Sequence, residues 1–363
     1  MTQTAENLFA QGMAHFKAYR AHRAVACFER LRQIDPDFPH LDIAYLKALR
    51  RDARHAQALS FGEAAKGDPS EIGFEAAMCR LALGQAEAAL RDFDAVLAQR
   101  PDMAVAWQHS HAPALELLGL DEAMRRIDRA LACSGPVNGN YVALLAAYRW
   151  LQGDRAAANG LARKGRHRLL IEGLAALEKD FSPDPQLFAV SASLHGHAMR
   201  QAHLKGLVLE FGVRRGTSLR HIAAIAHQEA HGFDSFEGLP EGWGSAGPGL
   251  LSTECELPDM PPNVHLHPGW FEDTLPPFLA SHPRPVRFLN IDSDLYSSAR
   301  TVLFALAPRL IPGSVVVFDE LIGNPTWRQD EFKALLEFAQ AFKACFKIFA
   351  LSLATKQVGL RIL

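Results

Sequence analysis

The segment GLVLEFGVRRGTS, at residues 206–218, places the tightest constraint on how this chain can fold. An apolar run ends in Glu210 and is followed by Gly212 and Gly216. The run is typical of a buried parallel strand, and glycine at both later positions lets the backbone approach a ligand closely. The pattern predicts a strand, a tight loop and a helix that together form a ligand site.

The beginning of that helix has the character of a nucleotide-type cofactor site. We expect Thr217 and Ser218 to cap the helix and to lie among the cofactor-binding residues. The unpaired N–H groups of a helix start favour a carboxylate or a phosphate. Dinucleotide folds carry G-x-G-x-x-G at this turn. Here the order is E-x-G-x-x-x-G, which begins with an acidic residue and separates its two glycines by three residues. This order favours S-adenosylmethionine over NAD.

Length and composition predict a two-domain globular protein. The chain has 363 residues, of which 48% are hydrophobic and 21% are charged. A formal net charge of −2 provides no basic field for nucleic acid or an anionic membrane. We find neither a secretory leader nor a run of about 18 apolar residues, and the 5 cysteines form no C-x-x-C pair. A cytoplasmic protein with reduced thiols is therefore expected.

Residues 1–163 carry a repeat of about 34 residues, the period of helix-turn-helix repeats. Large apolar residues recur at intervals of 33, 32, 34 and 34, namely at Phe28, Phe61, Phe93, Ile127 and Leu161. Three prolines follow the first three of these by eight residues each and are predicted to stop the second helix of a pair, at Pro36, Pro69 and Pro101. Three glycines are predicted to mark helix ends, namely Gly12, Gly119 and Gly153.

These residues resemble the tetratricopeptide repeat family, over about four and a half degenerate units. The resemblance implies a curved solenoid whose concave face often binds peptides or proteins. A receptor for a partner, a dimerisation arm and an inert spacer all stay open. Residues 164–185 lose the period and are predicted to be a linker to a second domain at 186–363.

The second domain alternates strands and helices, which specifies a parallel, doubly wound α/β sheet. After the strand that ends at Glu210, strands are predicted at 231–234, 264–267, 286–292 and 314–320. The last two apolar runs are KIFALSL and QVGLRIL, and only three residues separate them. Because three residues cannot hold a crossover helix, the two runs must form an antiparallel hairpin. A Rossmann-like sheet closed by an antiparallel strand is the arrangement of class I methyltransferases.

Acidic residues end several of these strands, where open α/β sheets bind their ligands. Asp234 follows Glu210 by 24 residues and could accept the ribose hydroxyls of a nucleoside, or alternatively cap a helix. Asp292, Asp319 and Glu320 end two neighbouring strands. Converging carboxylates of this type suit Mg²⁺. The alternative is that Glu320 points to solvent and Asp319 caps a loop.

The second domain is similar to the macrocin O-methyltransferase family over about residues 187–363. Five blocks carry the resemblance: LEFGVRRGTS, GFDSFEGLPEGW, GWFEDTLP, IDSDLYSSA and PGSVVVFDE. It implies that the methionine end of the cofactor is held by Glu210, Gly212 and Gly216, its ribose by Asp234, and its adenine region by Ser235, Trp270 and Phe271. It also implies Mg²⁺ on Asp292, Asp319 and Glu320, with Asp292 a candidate general base. The antibiotic enzymes tend to carry Asp-Asp where this chain has Asp319 and Glu320.

Together these features predict an S-adenosylmethionine-dependent O-methyltransferase that acts on a hydroxyl of a small molecule, with a sugar as one candidate. The alternatives are a repeat scaffold whose second domain senses the cofactor, and a methyltransferase for a protein that the repeats recruit. Residues 238–262 are rich in turn residues and are either a lid over the ligand or a surface loop.

Overall fold

A computed structural model describes residues 4–133, 138–243 and 247–363. The first part of the chain is a series of helices joined by short turns. The helices are α1 (Ala5–Lys17), α2 (Ala21–Ile34), α3 (Leu41–Arg51), α4 (His55–Gly62), α5 (Pro69–Ala82), α6 (Ala86–Gln99), α7 (Ala104–Leu118), α8 (Leu120–Cys133), α9 (Gly139–Leu151), α10 (Arg155–Leu161) and α11 (Gly165–Leu177). From α1 to α10 each helix packs against the next one, and α11 packs on α9, which confirms the repeat array.

The repeating apolar residues all lie on the second helix of a pair. Phe28, Phe93 and Ile127 are completely buried, on α2, α6 and α8. Gly12 does not mark a helix end as predicted: it lies inside α1, where a Cβ atom would stand 2.4 Å from the ring of Phe28. Pro69 also differs from the prediction, because it is the first residue of α5 rather than the stop after α4.

The predicted linker at 164–185 is wrong, because this segment is structured. It contains α11 and the first half of an edge strand, β1 (Phe181–Phe188). Pro183 and Pro185 lack the N–H that a central strand donates on both sides, and they are tolerated here because β1 pairs on one side only. The prolines made the segment look like a linker in the sequence.

The seven remaining strands join β1 in one sheet of eight. They are β2 (Leu207–Phe211), β3 (Ala230–Asp234), β4 (Val264–Pro268), β5 (Val286–Ile291), β6 (Val315–Phe318), β7 (Phe346–Ser352) and β8 (Gln357–Ile362). The sheet order is β1-β7-β8-β6-β5-β2-β3-β4, and β8 alone runs antiparallel to both of its neighbours. The predicted strands, the hairpin and the Rossmann-like class I methyltransferase topology are confirmed.

Helices cover both faces of the sheet and give it two cores. They are α12 (Ser191–Gln201), α13 (Thr217–Ala226), α14 (Phe271–Ser281), α15 (Tyr296–Leu306) and α16 (Glu331–Phe342). Successive strand residues alternate between the faces: Val208 packs with α12 and α13, whereas Leu209 packs with α14, α15 and the last repeat helices. In this second core a Cβ atom on Gly173 of α11 would stand 2.6 Å from Ile322. The repeat array and the sheet therefore share one hydrophobic core.

In the described residues no helix has the length and apolar character that crossing a membrane requires.

Candidate active site

The loop after β2 is shaped by a close backbone contact at Gly212. This residue has a φ of +97°, and a Cβ atom there would lie 1.7 Å from the carbonyl oxygen of Asp292. Its N–H donates to Phe233 on one side, and Asp292 donates to Phe211 on the other, at 2.9 and 2.8 Å. Only glycine fits at this position, so the loop lies against the carboxyl ends of β3 and β5.

Asp234 holds the same loop from β3. One of its carboxylate oxygens accepts from the backbone N–H groups of Val213 and Arg214 at 2.8 and 2.7 Å. The other accepts from Phe236 at 2.7 Å. A carboxylate offers about four acceptor sites, so part of its capacity is left for a ligand. Asp234 faces the cavity described below, and its ribose role stays a prediction.

Glu210 is completely buried below this loop. One carboxylate oxygen accepts from the hydroxyl of Ser218 and from Asn290, whose own amide oxygen contacts His195 at 3.2 Å. The second oxygen has no hydrogen-bond partner in the described part of the chain. Burial raises the pKa of Glu210 to about 8, because its charged form has lost water. The side chain lies behind the loop and does not line the cavity.

The helix cap differs from the prediction. The N-cap of α13 is Gly216, in a left-handed conformation with a φ of 71°, and among the described residues no side chain caps the helix. Ser218 donates to Glu210 instead, and Thr217 lines a different cavity, against the turn between α3 and α4. A hydroxyl at the sequence position of a cap was not sufficient, because the glycine conformation turns the first helical residues away.

A cavity of about 480 Å³ lies at the carboxyl ends of β2, β3 and β5. It brings together six of the predicted residues: Gly212, Asp234, Ser235, Trp270, Phe271 and Asp292. The lining does not include Glu210, Gly216, Thr217, Ser218, Asp319 and Glu320. Its volume lies in the range of small-molecule and cofactor sites.

The three predicted metal ligands do not converge as a set. Asp319 hydrogen-bonds with Asp292 and accepts from Gln357 at 2.5 Å. Glu320 lies 3.3 Å from the ammonium group of Lys356, so the alternative in which it points to solvent does not hold either. Within the described ranges no group of three or more His, Cys, Asp or Glu side chains is arranged to hold a metal ion. Burial and the negative charge of Glu320 raise the pKa of Asp319 to about 7.

Asp294 is a cavity residue that the sequence analysis missed. It is 9% exposed and has a φ of +61°. Burial, followed by the charge of Glu320, raises its pKa to about 7. Its signal was present in the sequence, because Asp294 follows Asp292 by two residues in the block IDSDLYSSA. Glu331, which is 1% exposed and accepts from the N–H of Ser293, holds the loop between these aspartates.

The repeat array reaches the glycine loop through ion pairs that the sequence analysis also missed. Arg215 lies 3.1 Å from Asp52, in the turn between α3 and α4, and 2.7 Å from Glu256. Arg54 contacts both of these carboxylates, at 2.8 and 3.7 Å. No local pattern reveals a contact between residues 163 positions apart.

The segment predicted as a lid covers one side of the cavity. Leu239 exchanges backbone hydrogen bonds of 2.9 Å with Gly249 and Leu250. Glu241 accepts from the hydroxyl of Ser297 on α15. Residues 244–246 of the predicted lid lie outside the described residues. Opening and closing of this segment stay a prediction.

Comparison with known proteins finds similarity to methyltransferases. Residues 209–321 match the family described as "Methyltransferase domain". A curated protein of Streptomyces olivaceus, 8-demethyl-8-(2,3-dimethoxy-alpha-L-rhamnosyl)-tetracenomycin-C 4'-O-methyltransferase, is 32% identical over 145 residues. The alignment covers 32% of this chain and 52% of that protein, so the chain spans about half the length of the curated relative it matches. The predicted similarity to O-methyltransferases is confirmed at this level.

Solved structures similar to this chain include two methyltransferases and the protein MamA. The O-methyltransferase NovP is 23% identical and covers 47% of this chain and 78% of its own, with a TM-score of 0.36. The calicheamicin methyltransferase CalS11 is 23% identical and covers 66% and 91%, with a TM-score of 0.39. MamA is 12% identical and covers 46% and 96%, with a TM-score of 0.36.

Proposed function

We propose that this chain is an S-adenosylmethionine-dependent O-methyltransferase that transfers a methyl group to a hydroxyl of a small molecule. The observation that carries the proposal is the convergence of Gly212, Asp234 and Asp292 on one cavity at the carboxyl ends of three adjacent strands. The match of residues 209–321 to a methyltransferase domain supports the same assignment.

The chemistry of the cavity suits the proposed cofactor. Acidic side chains outnumber basic ones in the cavity lining, and the negative field of Asp234, Glu241 and Glu272 favours a sulfonium and an ammonium group. Trp270 and Phe271 line the same cavity and offer aromatic faces for the adenine. Gly212 lets the loop after β2 lie directly against the backbone of Asp292, which fixes the wall of the cavity.

Methyl transfer asks little acid-base chemistry of the protein. The acceptor oxygen attacks the methyl carbon, the new C–O bond forms as the S–C bond breaks, and the sulfur leaves as a neutral thioether. The enzyme mainly has to align the oxygen with the methyl group and exclude water. The hydroxyl proton must pass to a base. Asp294, with a pKa of about 7, suits that role near neutral pH better than Asp292, whose carboxyl is hydrogen-bonded to Asp319.

Two carboxylates also fit a divalent cation. Mg²⁺ is commonly bound by one or two carboxylates, with water and substrate in the other positions. Asp292 and Asp319 supply such a pair, and their charges repel each other unless a proton or a cation intervenes. When bound, Mg²⁺ would lower the pKa of an acceptor hydroxyl. Glu320 would join only after leaving Lys356. Replacing Lys356 with methionine should therefore strengthen Mg²⁺ binding in calorimetry, and replacing Asp319 with asparagine should abolish it.

The acceptor class is proposed from the relatives. The curated relative is named for methylation of a rhamnosyl group, and a sugar hydroxyl is therefore the first acceptor to test. The experiment is titration with S-adenosylhomocysteine, followed by methyl-transfer assays against a panel of glycosides and phenols. Cofactor binding with no product from any hydroxylated acceptor would favour the alternative function, in which the domain senses the cofactor or methylates a recruited protein.

The interdomain ion pairs bear on the role of the repeats. Asp52 and Arg54 contact Arg215, which lies in the loop after β2 (the cofactor loop, residues 212–216), and Glu256, which lies in the segment predicted as a lid. A repeat array that only recruits a protein would not need such contacts. We propose that the first repeats stabilise the cofactor loop, in addition to any binding of a partner or a second copy.

A further inference from the structure

A second cavity, of about 570 Å³, lies between the first repeat and the lid segment. The turn from α1 to α2 forms one wall and residues 247–252 form the other. This acceptor-side cavity shares Arg214 and Leu251 with the cofactor cavity. Two cavities with common walls can hold the two reactants of one transfer. The combined volume of the two cavities exceeds what the cofactor alone requires.

The charges of the acceptor-side cavity are predominantly basic. Three arginines line it against two glutamates: Arg20, Arg23, Arg214, Glu237 and Glu254. Arg23 is ion-paired with Glu254, at 2.5 Å, and His22 lies 3.2 Å from the same carboxylate. Arg20 and Arg214 have no such partner among the residues that the structure describes. Two guanidinium groups and the carboxylate of Glu237 are thus left on the wall of the cavity, which gives a net positive charge.

Arg214 is the most informative of these residues. Its guanidinium donates to the backbone oxygen of Arg51 at 3.1 Å, and its Nε is buried with no hydrogen-bond partner within the residues that the structure describes. Burial lowers the pKa of Arg214, because its charged form has lost water, and the nearby carboxylates of Asp52, Asp292 and Asp234 offset this loss only in part. Buried charges in proteins are normally paired, and an unpaired one at a cavity wall is satisfied by a ligand of opposite charge.

We propose that the acceptor carries a phosphate group that Arg20 and Arg214 bind in the acceptor-side cavity. Guanidinium groups bind phosphate through paired, charge-assisted hydrogen bonds. The inference rests on the proposed function and narrows its substrate class to phosphorylated sugars, either a sugar phosphate or a nucleoside diphosphate sugar. The repeats then supply part of the acceptor site, because Arg20 belongs to the first repeat.

The test is calorimetry on the full-length protein saturated with S-adenosylhomocysteine. The probes are glucose 1-phosphate, UDP-glucose and methyl α-glucoside, which present one phosphate, a nucleoside diphosphate and no charge. We expect the charged probes to bind at least about tenfold more tightly than the neutral glycoside. The stronger of the two charged probes then identifies the source of the phosphate. Equal affinity for charged and neutral probes, or no binding of any of them, would overturn the proposal.

Single-residue variants test which arginines bind the phosphate. Arg20→Ala and Arg214→Lys should each weaken the charged probes by about tenfold, whereas Arg129→Ala, which removes an exposed charge on α8, should not. Affinity for S-adenosylhomocysteine should stay unchanged in Arg20→Ala, which lies on an exposed turn and leaves the fold intact. If Arg214→Lys weakens the cofactor analogue instead of the probes, Arg214 serves the cofactor and the proposal fails. Loss of analogue binding in the unmodified protein would refute the proposed function itself.

Discussion

The guanidinium of Arg215 lies 3.1 Å from the carboxylate of Asp52, and the two side chains are only 8% and 1% exposed. This ion pair joins the turn between α3 and α4 to the residue that precedes Gly216. It is surrounded by Arg54 and Glu256, so the charges of the cluster balance. The loop after β2 therefore depends on a part of the chain that its own domain does not contain.

Replacement of Asp52 with alanine should destabilise the protein and weaken cofactor binding. Removal of one partner of a buried ion pair leaves the other charge uncompensated, at a cost of about 3 kcal/mol. Thermal unfolding and calorimetry with S-adenosylhomocysteine measure the two effects. Asp37→Ala is the matched control, because Asp37 pairs with Lys66 on the exposed surface of the same array. Equal losses in both variants would contradict a special role of Asp52.

Replacement of Gly212 with alanine should abolish binding of the cofactor analogue. The new Cβ atom would lie 1.7 Å from the carbonyl oxygen of Asp292, so the loop has to move. Gly153→Ala provides the control, since Gly153 has a similar φ of +87° but open space around its Cβ position. The control separates the cost of the backbone conformation from the steric block. Analogue affinity that survives in Gly212→Ala would show that the loop is not part of the site.

Glu210 should make the ligand-free protein less stable as the pH rises. Its pKa is about 8 in the folded state against 4.5 ordinarily, so the folded state binds more protons between these values. This contribution to the free energy of unfolding is complete below pH 4.5 and is lost as the pH rises through 8. In Glu210→Gln the decline measured by urea unfolding between pH 5 and about 8 should be shallower. The exposed replacement Glu63→Gln should leave the slope as it is, and an unchanged slope in Glu210→Gln would contradict the assignment.

Asp294 should act as the base for the acceptor hydroxyl. Asp294→Asn is expected to lower kcat by about a hundredfold or more while the affinity for the cofactor analogue stays within about twofold. In the unmodified protein, kcat should rise as the pH passes through about 7, where the carboxyl loses its proton. Asp273→Asn, an exposed change on α14, serves as the control. A full rate in Asp294→Asn, together with a loss in Asp292→Asn, would return the role to Asp292.

Local patterns predicted the elements of this protein well. The apolar run before Glu210, the acidic strand ends and the three-residue gap before β8 each depend on neighbouring residues, and the structure confirms the elements that they predict. Predictions failed where distant contacts decide. Pro183 and Pro185 suggested a linker. In the structure this segment is an edge strand, because β7 pairs with it.

The site was predicted only in part, because distant contacts decide the positions of some of its residues. Gly212, Asp234 and Asp292 were found because strand ends converge in any parallel sheet. Glu320 was misplaced because Lys356, 36 residues later, holds its carboxylate. The ion pair of Asp52 with Arg215 could not be inferred, because neither residue carries a local signal. The shared core of α11 and Ile322 also means that deletion of the repeats would damage the sheet domain, so point variants are the better test of the repeats.

The most direct test of the central claim is calorimetric titration of the full-length protein with S-adenosylhomocysteine. We expect micromolar binding at one site per chain. This binding should be lost in Gly212→Ala and retained in Gly153→Ala. Absence of binding by the unmodified protein, with and without Mg²⁺, would contradict the assignment of the cavity to a methyl-donor cofactor.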